Sequence, residues 1–329
     1  MTIAGQRCVL MGDPRHFSVK GGANPHTRTR WGTRRTVDRE SAIRQWHALH
    51  DTLIDLGIRV FVVPPDSDWP GSVYPANAGY ALDVDTPIPA ADRRFYLANL
   101  LPTRAGEKAQ YRIALAEAGI APLEIDERLR FEGEADFFPA GDIHLLTHGR
   151  VEKQRFVPTW GIPPWKRVYG FRTDVDAEPA LQQAIGERRI LRVPLTLEAH
   201  YHGDTVLCAF GPGRKYLLGY REGVTEEAWH ALEDRFADDL IALNTEDAQH
   251  YAANSFTYTT DTDSVLVMPD GISQHLTDQI RERGVTPIAV DVSEFLKKGG
   301  GSVKCMIGDL GVVGPPRNSE THEKFALSD

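Results

Sequence analysis

The sequence contains few cysteines and no long run of apolar residues. Its 329 residues include three thiols, Cys8, Cys208 and Cys305, which are far apart and odd in number, so we expect no disulfide framework. Neither a Cys-x-x-Cys pair nor a His-Glu-x-x-His helix is present, and we expect no metal site and no cofactor. No apolar run approaches the roughly 20 residues of a membrane span, and residues 1–11 lack the pattern of a signal peptide. These absences predict a cytoplasmic protein.

An excess of positive charge is also missing. The formal net charge is -9, which argues against nucleic acid or an anionic membrane as a partner, because both select basic surfaces. The same charge mildly favours a cationic small molecule as the substrate through long-range attraction. The sequence is compatible with a homo-oligomer and does not determine the oligomeric state.

Three segments share one pattern, in which an amphipathic helix ends at a glycine and a buried strand follows. In the first, helical spacing of apolar residues over residues 38–56 ends at Gly57. The pattern returns within residues 113–125 and within residues 276–292. A further, longer helix is predicted over residues 225–243. This recurrence predicts repeated α/β modules and not a division into two domains.

The glycine-rich segment before Cys305 is the first candidate for chemistry. Residues 299–301 are three successive glycines, which let a backbone approach a ligand closely. Lys304 is adjacent to the thiol, and a cation there would help to hold a thiolate. The pattern predicts Cys305 as a nucleophile, with a buried structural cysteine as the alternative. Cys8 and Cys208 lie among apolar residues and are predicted to be structural.

His202 and Asp204 form a second candidate pair. If this segment is extended, both side chains face the same side, because side chains alternate along a strand. A histidine there can accept a proton from a thiol and later activate water. His200 would share that face and is a rival for the role. The alternative interpretation is a polar strand end.

Residues 132–142 are rich in carboxylates, which are embedded among apolar and small residues. Buried carboxylates require a cation or hydrogen bonds. A guanidinium presents five donors in a planar fork, so facing carboxylates are its natural receptor. The segment therefore predicts either a guanidinium site or an acidic surface turn.

Together these segments resemble the guanidino-group-modifying superfamily, which includes arginine deiminases, dimethylarginine hydrolases, amidinotransferases and arginine dihydrolases. The resemblance runs over most of the chain and rests on six motifs in the family's order: residues 11–19 with Asn24-Pro25, Val73-Tyr-Pro-Ala-Asn-Ala-Gly79, Thr103-Arg-Ala-Gly-Glu107, Phe131-Glu-Gly-Glu-Ala-Asp136, His202-Gly-Asp204 and Gly299-Gly-Gly-Ser-Val-Lys-Cys305. Each motif alone is weak, whereas six in the right order are specific.

The resemblance implies a fold and a domain organisation. The fold would be α/β, a five-bladed α/β propeller (pentein) with pseudo-fivefold symmetry around a central site. Residues 1–329 would form a single guanidino-group-modifying catalytic domain. The helix–glycine–strand pattern is compatible with this fold.

The resemblance also implies catalytic roles. Cys305 would attack the guanidino carbon and form a covalent amidino-thioether. His202 would protonate the departing nitrogen and then activate water. Asp136 and Asp204 would bind the guanidinium, and either Glu132 or Asp136 would orient His202.

Three further residues would lie on the substrate side. The arginine of the third motif, Arg104, would bind the substrate carboxylate, and Asn24 belongs to the N-terminal loop that borders the substrate. Asn77 is the most informative, because deiminases carry an Arg-Asp pair in this loop, whereas Ala-Asn-Ala-Gly resembles arginine dihydrolases. An amide can donate or accept, so Asn77 could also hold the neutral ureido group of citrulline.

We therefore expect a hydrolase of the guanidino group of arginine, either a dihydrolase that yields ornithine, ammonia and carbon dioxide or a deiminase that yields citrulline. An amidinotransferase and a dimethylarginine hydrolase are the alternatives, and a binding protein without activity is a third. Three departures from the family pattern are expected to border the substrate side. Gly71-Ser72 replaces a frequent aspartate, residues 82–93 contain a short insertion, and Gly21-Gly22 replaces bulkier residues in the N-terminal loop.

Overall fold

The computed structural model describes residues 5–20, 24–29, 31, 33–153, 155–159 and 162–315. In chain order the strands are β1 (Gln6–Gly12), β2 (Arg59–Val63), β3 (Gly79–Ala81), β4 (Ile88–Pro89), β5 (Phe95–Leu97), β6 (Pro122–Glu124), β7 (Phe137–Ala140), β8 (Ile143–His148), β9 (Arg155–Thr159), β10 (Ile162–Val168), β11 (Arg189–Pro194), β12 (Leu207–Phe210), β13 (Tyr216–Gly219), β14 (Leu240–Ala242), β15 (Phe256–Thr259), β16 (Ser264–Pro269), β17 (Thr286–Val290) and β18 (Gly308–Gly314). The helices are α1 (Arg39–Asp55), α2 (Glu107–Glu117), α3 (Glu178–Ile185), α4 (Glu226–Phe236), α5 (Thr245–Gln249), α6 (Gln274–Glu282) and α7 (Ser293–Gly299). The fold is mixed α/β.

Most of the strands form five sheets of one design, in which an antiparallel pair is extended by a parallel third strand. Four of these sheets are β3-β5-β6, β7-β8-β11, β12-β13-β14 and β15-β16-β17. The remaining sheet joins the two ends of the described chain, because β18 pairs antiparallel with β1, which pairs parallel with β2. β9 and β10 form a separate hairpin.

Each sheet shares an apolar core with the next sheet along the chain. One core joins β1 and β2 to β3 and β5, and another joins β3 to β7 and β8. A third joins β7 and β8 to β12, β13 and β16. The fourth joins β15, β16 and β17 back to β1 and α1. Cys8 and Cys208 are buried in two of these cores.

A helix precedes the parallel strand of each sheet, and a left-handed residue separates the two. Gly57, Gly119, Gly186 and Gly284 follow α1, α2, α3 and α6 with φ between 70° and 77°. Glycine adopts this conformation without the steric cost that a side chain incurs. The three predicted helix–glycine–strand units are therefore confirmed, and the structure adds a fourth at Gly186.

The predicted helix over residues 225–243 is wrong in its second half. Helix α4 ends at Phe236, and Leu240 begins strand β14. The helix ends because Ala237 has a φ of 45°, in the left-handed region that the other helices reach through glycine. An alanine does not mark a helix end in the sequence as a glycine does. The predicted helix therefore extended past the true end of α4.

The insertion within residues 82–93 packs against strand β18. Its strand β4 pairs with β18, and its Asp85 carboxylate accepts hydrogen bonds from Arg7 and Arg214. None of its residues lines the cleft that contains Arg104. The insertion therefore does not border the cleft of Arg104, and the Gly21-Gly22 pair lies outside the described residues. Among the described residues, no helix is long and apolar enough to cross a membrane.

Candidate active site

Cys305 is held in a buried loop between α7 and β18, and Asn254 organises that loop. The amide oxygen of Asn254 accepts hydrogen bonds from the backbone N–H groups of Ser302 and Cys305, at 3.0 and 3.1 Å. Its amide nitrogen donates to the Cys305 sulfur at 3.2 Å and to the backbone oxygen of Asp204 at 3.1 Å. Asn254 is fully buried and was missed in the sequence, where the nearest signal is an amide within a segment of small residues.

The glycines before Cys305 are required by close packing against Tyr74. A Cβ atom on Gly301 would lie 2.6 Å from the Tyr74 ring, and one on Gly299 would lie 1.8 Å from its hydroxyl oxygen. Gly300 also has a φ of 78°, which favours glycine. The Tyr74 hydroxyl donates to the backbone oxygen of Phe295 in α7, which fixes the ring. The segment is therefore a tightly packed turn.

Asp204 is the nearest ionisable neighbour of the nucleophile candidate. The Cys305 thiol donates to Oδ2 of Asp204 at 3.3 Å, and both side chains are buried. Burial raises the pKa of Asp204 to about 6, and burial together with the Asp204 charge raises the pKa of the Cys305 thiol well above its usual value. The thiol is therefore protonated in the substrate-free site.

Lys304 does not hold the thiolate, contrary to the expectation from its position in the sequence. Its ammonium group lies 2.7 Å from Oε1 of Glu134 and donates to the backbone oxygen of Ile307. Because the two residues belong to one turn, their side chains point in different directions. The charged group that contacts the Cys305 sulfur is therefore the carboxylate of Asp204 and not the ammonium group of Lys304.

His202 makes its closest contact with Glu132. Its Nε2 lies 2.8 Å from Oε2 of Glu132 and 3.9 Å from Oδ2 of Asp136. Burial by itself would raise the pKa of Glu132. The hydrogen bond from His202 and the charge interaction with His202 outweigh this effect of burial and lower the pKa of Glu132 to about 2. The amide nitrogen of Asn77 lies 3.1 Å from the same histidine nitrogen and 3.3 Å from the Glu132 carboxylate. Glu132 is therefore an acceptor that stays ionised.

Asp136 occupies a supporting position. Its carboxylate accepts hydrogen bonds from the hydroxyls of Thr147 and Thr173, at 2.7 and 2.6 Å, and from the backbone N–H of Gly203 at 2.9 Å. These bonds tie the turn that carries His202 to strand β8. Between the two carboxylates proposed to orient His202, Glu132 is the direct partner.

The segment that contains His202 is not an extended strand, contrary to our expectation. Residues 198–200 and 203–205 are 3-10 turns on either side of His202. His200 is consequently turned away, and its ring stacks on Tyr251 with a centroid distance of 4.8 Å. Burial lowers the pKa of His200 to about 4. None of the described contacts joins His200 to Cys305, Glu132 or Asp204.

Arg104 lies at the edge of the site in a cleft of about 140 Å³. Its guanidinium is held in a bidentate pair by the buried carboxylate of Glu107, at 2.8 and 2.6 Å, and donates to the backbone oxygen of Gly71. A Cβ atom on Gly71 would lie 2.4 Å from Glu107, so the departure from the family pattern at this position makes room for the pair. The Nη1 atom of Arg104 lies 3.8 Å from Glu132, which places the cleft beside His202.

Asn24 lines the same cleft, but its side chain is engaged within the protein. Its amide nitrogen donates to the backbone oxygen of Gly299 at 2.8 Å and to the hydroxyl of Tyr201 at 3.1 Å. Its amide oxygen accepts from the backbone N–H of His26. Asn24 thus fastens the N-terminal loop to the turn before Cys305.

Comparison with known proteins finds enzymes that are named for reactions of guanidino groups. Residues 220–312 match the family model for eukaryotic N,N dimethylarginine dimethylhydrolase. The chain is 31% identical over 95% of its length to the bifunctional arginine dihydrolase/ornithine cyclodeaminase AgrE of Nostoc sp.. It is 29% identical over 91% of its length to the N(G),N(G)-dimethylarginine dimethylaminohydrolase of Mycobacterium tuberculosis, of which it covers 84%. Over most of its length the chain is therefore similar to enzymes that modify guanidino groups.

The fold is shared with a protein of known structure. The N-terminal domain of ArgZ, an arginine dihydrolase from cyanobacteria, superposes with a TM-score of 0.76 at 24% identity, over 94% of this chain and 99% of that domain. The bifunctional relatives are longer, and this chain spans 37–38% of their length. The similarity to them is therefore a similarity to one part of each protein.

Proposed function

We propose that the chain is a hydrolase of the guanidino group of arginine, acting through a covalent amidino-thioether on Cys305. The observation that carries this proposal is the pairing of a buried thiol with a buried carboxylate, Asp204, two residues from a histidine that is paired with Glu132. A planar guanidinium can donate to Asp204 while the sulfur approaches its carbon. Similarity to arginine dihydrolases supports the same reaction.

The arrangement favours a thiolate that forms only when the substrate is bound. Burial and the charge of Asp204 keep the pKa of the free thiol high. A guanidinium placed beside Asp204 neutralises that charge and adds a positive one next to the sulfur, so both effects lower the thiol pKa. The cationic substrate would thus activate the nucleophile that attacks it.

The chemistry then proceeds in two steps for each nitrogen removed. The thiol proton passes to His202 as the sulfur bonds to the guanidino carbon. His202 then gives this proton to the departing nitrogen, the carbon–nitrogen bond breaks, and the nitrogen leaves as ammonia. Water then bonds to the same carbon and gives up a proton through His202, while the carbon–sulfur bond breaks and the thiol is restored. Glu132 stabilises the charged histidine in both steps, because its carboxylate stays ionised.

Substrate recognition is proposed to depend on the cleft beside the site. Arg104 would bind the α-carboxylate of arginine, since Glu107 already fixes the guanidinium in one orientation. Asn24, which lines the cleft, would act by holding its own backbone segment against Gly299. Asp136 would support the His202 turn and not touch the substrate.

Asn77 favours a second hydrolysis of the same molecule. The first hydrolysis leaves the neutral ureido group of citrulline, for which a second carboxylate would be a poor partner. The amide of Asn77, beside His202 and Glu132, can pair with either group. A second attack by Cys305 would release another ammonia and leave a carbamate that decomposes to ornithine and carbon dioxide.

The finer description of the fold is part of the same proposal. Five sheets of one design that share cores in a closed order support a five-bladed α/β propeller with pseudo-fivefold symmetry. We further propose that residues 1–329 act as a single catalytic domain. A cytoplasmic location stays a prediction from the sequence.

Dimethylarginine hydrolysis is the second candidate, because the matched family model and the mycobacterial relative carry that name. An amidinotransferase would deliver the amidino group to an amine in place of water. One experiment separates these activities: the protein is incubated with arginine, or with dimethylarginine, without any acceptor amine. Mass spectrometry then identifies ornithine, citrulline, dimethylamine or no product.

The expected product is ornithine with two equivalents of ammonia. Asn77→Asp is expected to shift the product toward citrulline without abolishing the first step. A wild-type protein that releases citrulline quantitatively and does not consume added citrulline would be a deiminase, and turnover that requires an acceptor amine would identify a transferase.

A further inference from the structure

Hydrolysis of the covalent adduct requires the Cys305 sulfur to leave as a thiolate beside a carboxylate. In the first step the substrate guanidinium supplies a positive charge next to the sulfur. In the second step the carbon that leaves the sulfur becomes part of a neutral ureido group, while Asp204 stays 3.3 Å from the sulfur. A buried anion without a partner is costly, so the departing thiolate needs a hydrogen-bond donor from the protein.

Two cationic side chains of the site do not meet this need. The ammonium group of Lys304 is paired with Glu134 at 2.7 Å. The described hydrogen bonds of His202 go to Glu132 and Asn77, and its proton is consumed in the reaction itself. The donor to the leaving sulfur must therefore be a neutral group.

Asn254 is such a donor. Its Nδ2 atom donates to the Cys305 sulfur at 3.2 Å, and both side chains are buried. Among the described residues, the side chains that form hydrogen bonds with this sulfur are those of Asn254 and Asp204, and of the two only Asn254 donates. A hydrogen bond to an anion is stronger in such a buried place than in water.

Three backbone groups fix the orientation of the Asn254 amide. Its oxygen accepts from the N–H groups of Ser302 and Cys305, at 3.0 and 3.1 Å. Its nitrogen also donates to the backbone oxygen of Asp204 at 3.1 Å. A reversed amide would set its own N–H groups against the two backbone N–H groups. The donor is thus aimed at the sulfur before the reaction starts, and no reorganisation is required when negative charge develops there.

We propose that Asn254 is a catalytic residue, whose side-chain N–H stabilises the Cys305 thiolate as it leaves the substrate carbon. In the hydrolysis proposed above, on which this inference rests, water bonds through its oxygen to the cationic amidino carbon and passes one proton to His202. The carbon–sulfur bond then breaks, and the sulfur keeps the electron pair while Asn254 donates to it. His202 returns its proton to the sulfur, and the second water proton leaves the new ureido group for solvent.

This role predicts an unequal effect on the two steps. A thiolate accepts a hydrogen bond well, whereas a sulfur bonded to the amidino carbon is a poor acceptor, so the Asn254 N–H favours the free thiolate over the adduct. Its loss should therefore slow adduct breakdown more than adduct formation. In the substrate-free protein, burial and the charge of Asp204 raise the pKa of the Cys305 thiol, and the Asn254 hydrogen bond opposes them.

Two substitutions separate donation to the sulfur from fastening of the loop. Asn254→Asp keeps an oxygen for the backbone N–H groups that the amide holds, and replaces the donating nitrogen. Asn254→Ala removes both functions and adds no charge. Asn99→Asp is the matched control, because Asn99 is also buried and fastens a different loop by donating to the backbone oxygen of Asp126 at 2.8 Å.

Alkylation of Cys305 by iodoacetamide tests the hydrogen bond without any substrate. The rate is measured against pH, and the Cys305 peptide is identified by mass spectrometry. Both Asn254 variants are expected to shift the profile toward higher pH, since the thiolate loses its donor. Asn99→Asp is expected to keep the wild-type profile. A wild-type profile in Asn254→Ala would overturn the proposal.

Single-turnover reactions with arginine test the role in catalysis. Mass spectrometry of the intact protein measures how fast the adduct forms and how fast it disappears. In both Asn254 variants breakdown is expected to slow at least about tenfold more than formation, the value of one hydrogen bond to a charged group. The ratio of the two rates should not change in Asn99→Asp.

Equal slowing of both steps in Asn254→Ala, with wild-type rates in Asn254→Asp, would show that Asn254 only fastens the loop and would overturn the proposal. Absence of adduct and product in the wild-type protein would instead refute the proposed function.

A crystal structure of the wild-type protein decides the case if the Asn254 variants do not fold. The amide nitrogen is expected within hydrogen-bonding distance of the Cys305 sulfur, with the oxygen facing the backbone N–H groups of Ser302 and Cys305. An amide beyond reach of the sulfur, or one that turns its oxygen toward it, would contradict the assigned role.

Discussion

The thiol of Cys305 lies 3.3 Å from Oδ2 of Asp204, so the proposed nucleophile is paired with a carboxylate and not with a cation. This arrangement raises the pKa of the thiol, since a negative neighbour disfavours the thiolate. Most activated cysteines use the opposite device, a nearby positive charge. Here the positive charge would come from the substrate.

Removing the charge of Asp204 should make the free thiol more reactive. Asp204→Asn keeps the size of the side chain and eliminates the negative charge, so the pKa of Cys305 falls and more thiolate is present at pH 8. The rate of alkylation by iodoacetamide, measured against pH, should shift toward lower pH in the variant. Turnover of arginine should nevertheless fall, because the guanidinium loses its carboxylate. An unchanged alkylation profile would contradict the pairing.

The same substitution should stabilise the folded protein above about pH 6. Burial raises the pKa of Asp204 from 3.8 to about 6, so ionisation is harder in the folded state than in the unfolded state. The free energy of unfolding of the wild type therefore falls as the pH rises from about 4 to about 6, whereas that of Asp204→Asn does not fall for this reason. The gain should approach about 3 kcal/mol at pH 7 and vanish below about pH 4. Urea unfolding at both pH values measures it.

Substitution of the three cysteines should separate one functional thiol from two structural ones. Cys305→Ser should abolish ammonia release from arginine, because a hydroxyl is far less nucleophilic than a thiolate near neutral pH. Cys8→Ser and Cys208→Ser should retain activity, since both thiols are buried apart from the Asp204–Asn254 contacts of Cys305. Activity that survives in Cys305→Ser would disprove the mechanism.

Histidine substitutions should rank according to their contacts. His202→Ala should lower kcat by roughly 100- to 10,000-fold, the usual value of general acid–base catalysis. Glu132→Gln should lower kcat in the same direction, because the amide cannot stabilise a charged histidine. His200→Ala should leave kcat nearly unchanged, since His200 stacks on Tyr251 away from the site. Steady-state kinetics on folded variants would show the reverse order if the wrong histidine had been chosen.

Arg104→Lys should distinguish substrates with and without a carboxylate. A point charge does not replace a bidentate fork, and lysine also cannot form both bonds to Glu107. The KM for arginine should therefore rise much more than the KM for agmatine, which lacks the carboxylate. Equal changes for both substrates would show that Arg104 does not recognise this group.

The repeating helix–glycine–strand unit of the fold could be predicted from the sequence, whereas the pairing of the last strand with the first could not. Glycines at positions 57, 119 and 284 mark helix ends because only glycine reaches the left-handed conformation cheaply. The same rule failed at Ala237, where tertiary packing imposes that conformation on an alanine. The pairing of β18 with β1 joins residues about as distant in the chain as the described range allows, and no local pattern predicts such a contact.

Residue types and motif order were enough to nominate Cys305, His202 and Asp204 and to limit the partner of His202 to Glu132 or Asp136, because the chemistry of a guanidinium restricts which side chains can bind it. Their partners depended on the tertiary structure. Adjacency in the chain suggested Lys304 as the neighbour of the thiol, and alternation along a strand suggested His200 as a rival, yet both side chains turn away. Asp204 and Asn254 reach Cys305 from 101 and 51 residues away. The direction of a side chain in a tight turn depends on how the turn packs between sheets. For that reason only the tertiary structure decided that a negative charge lies beside the Cys305 sulfur.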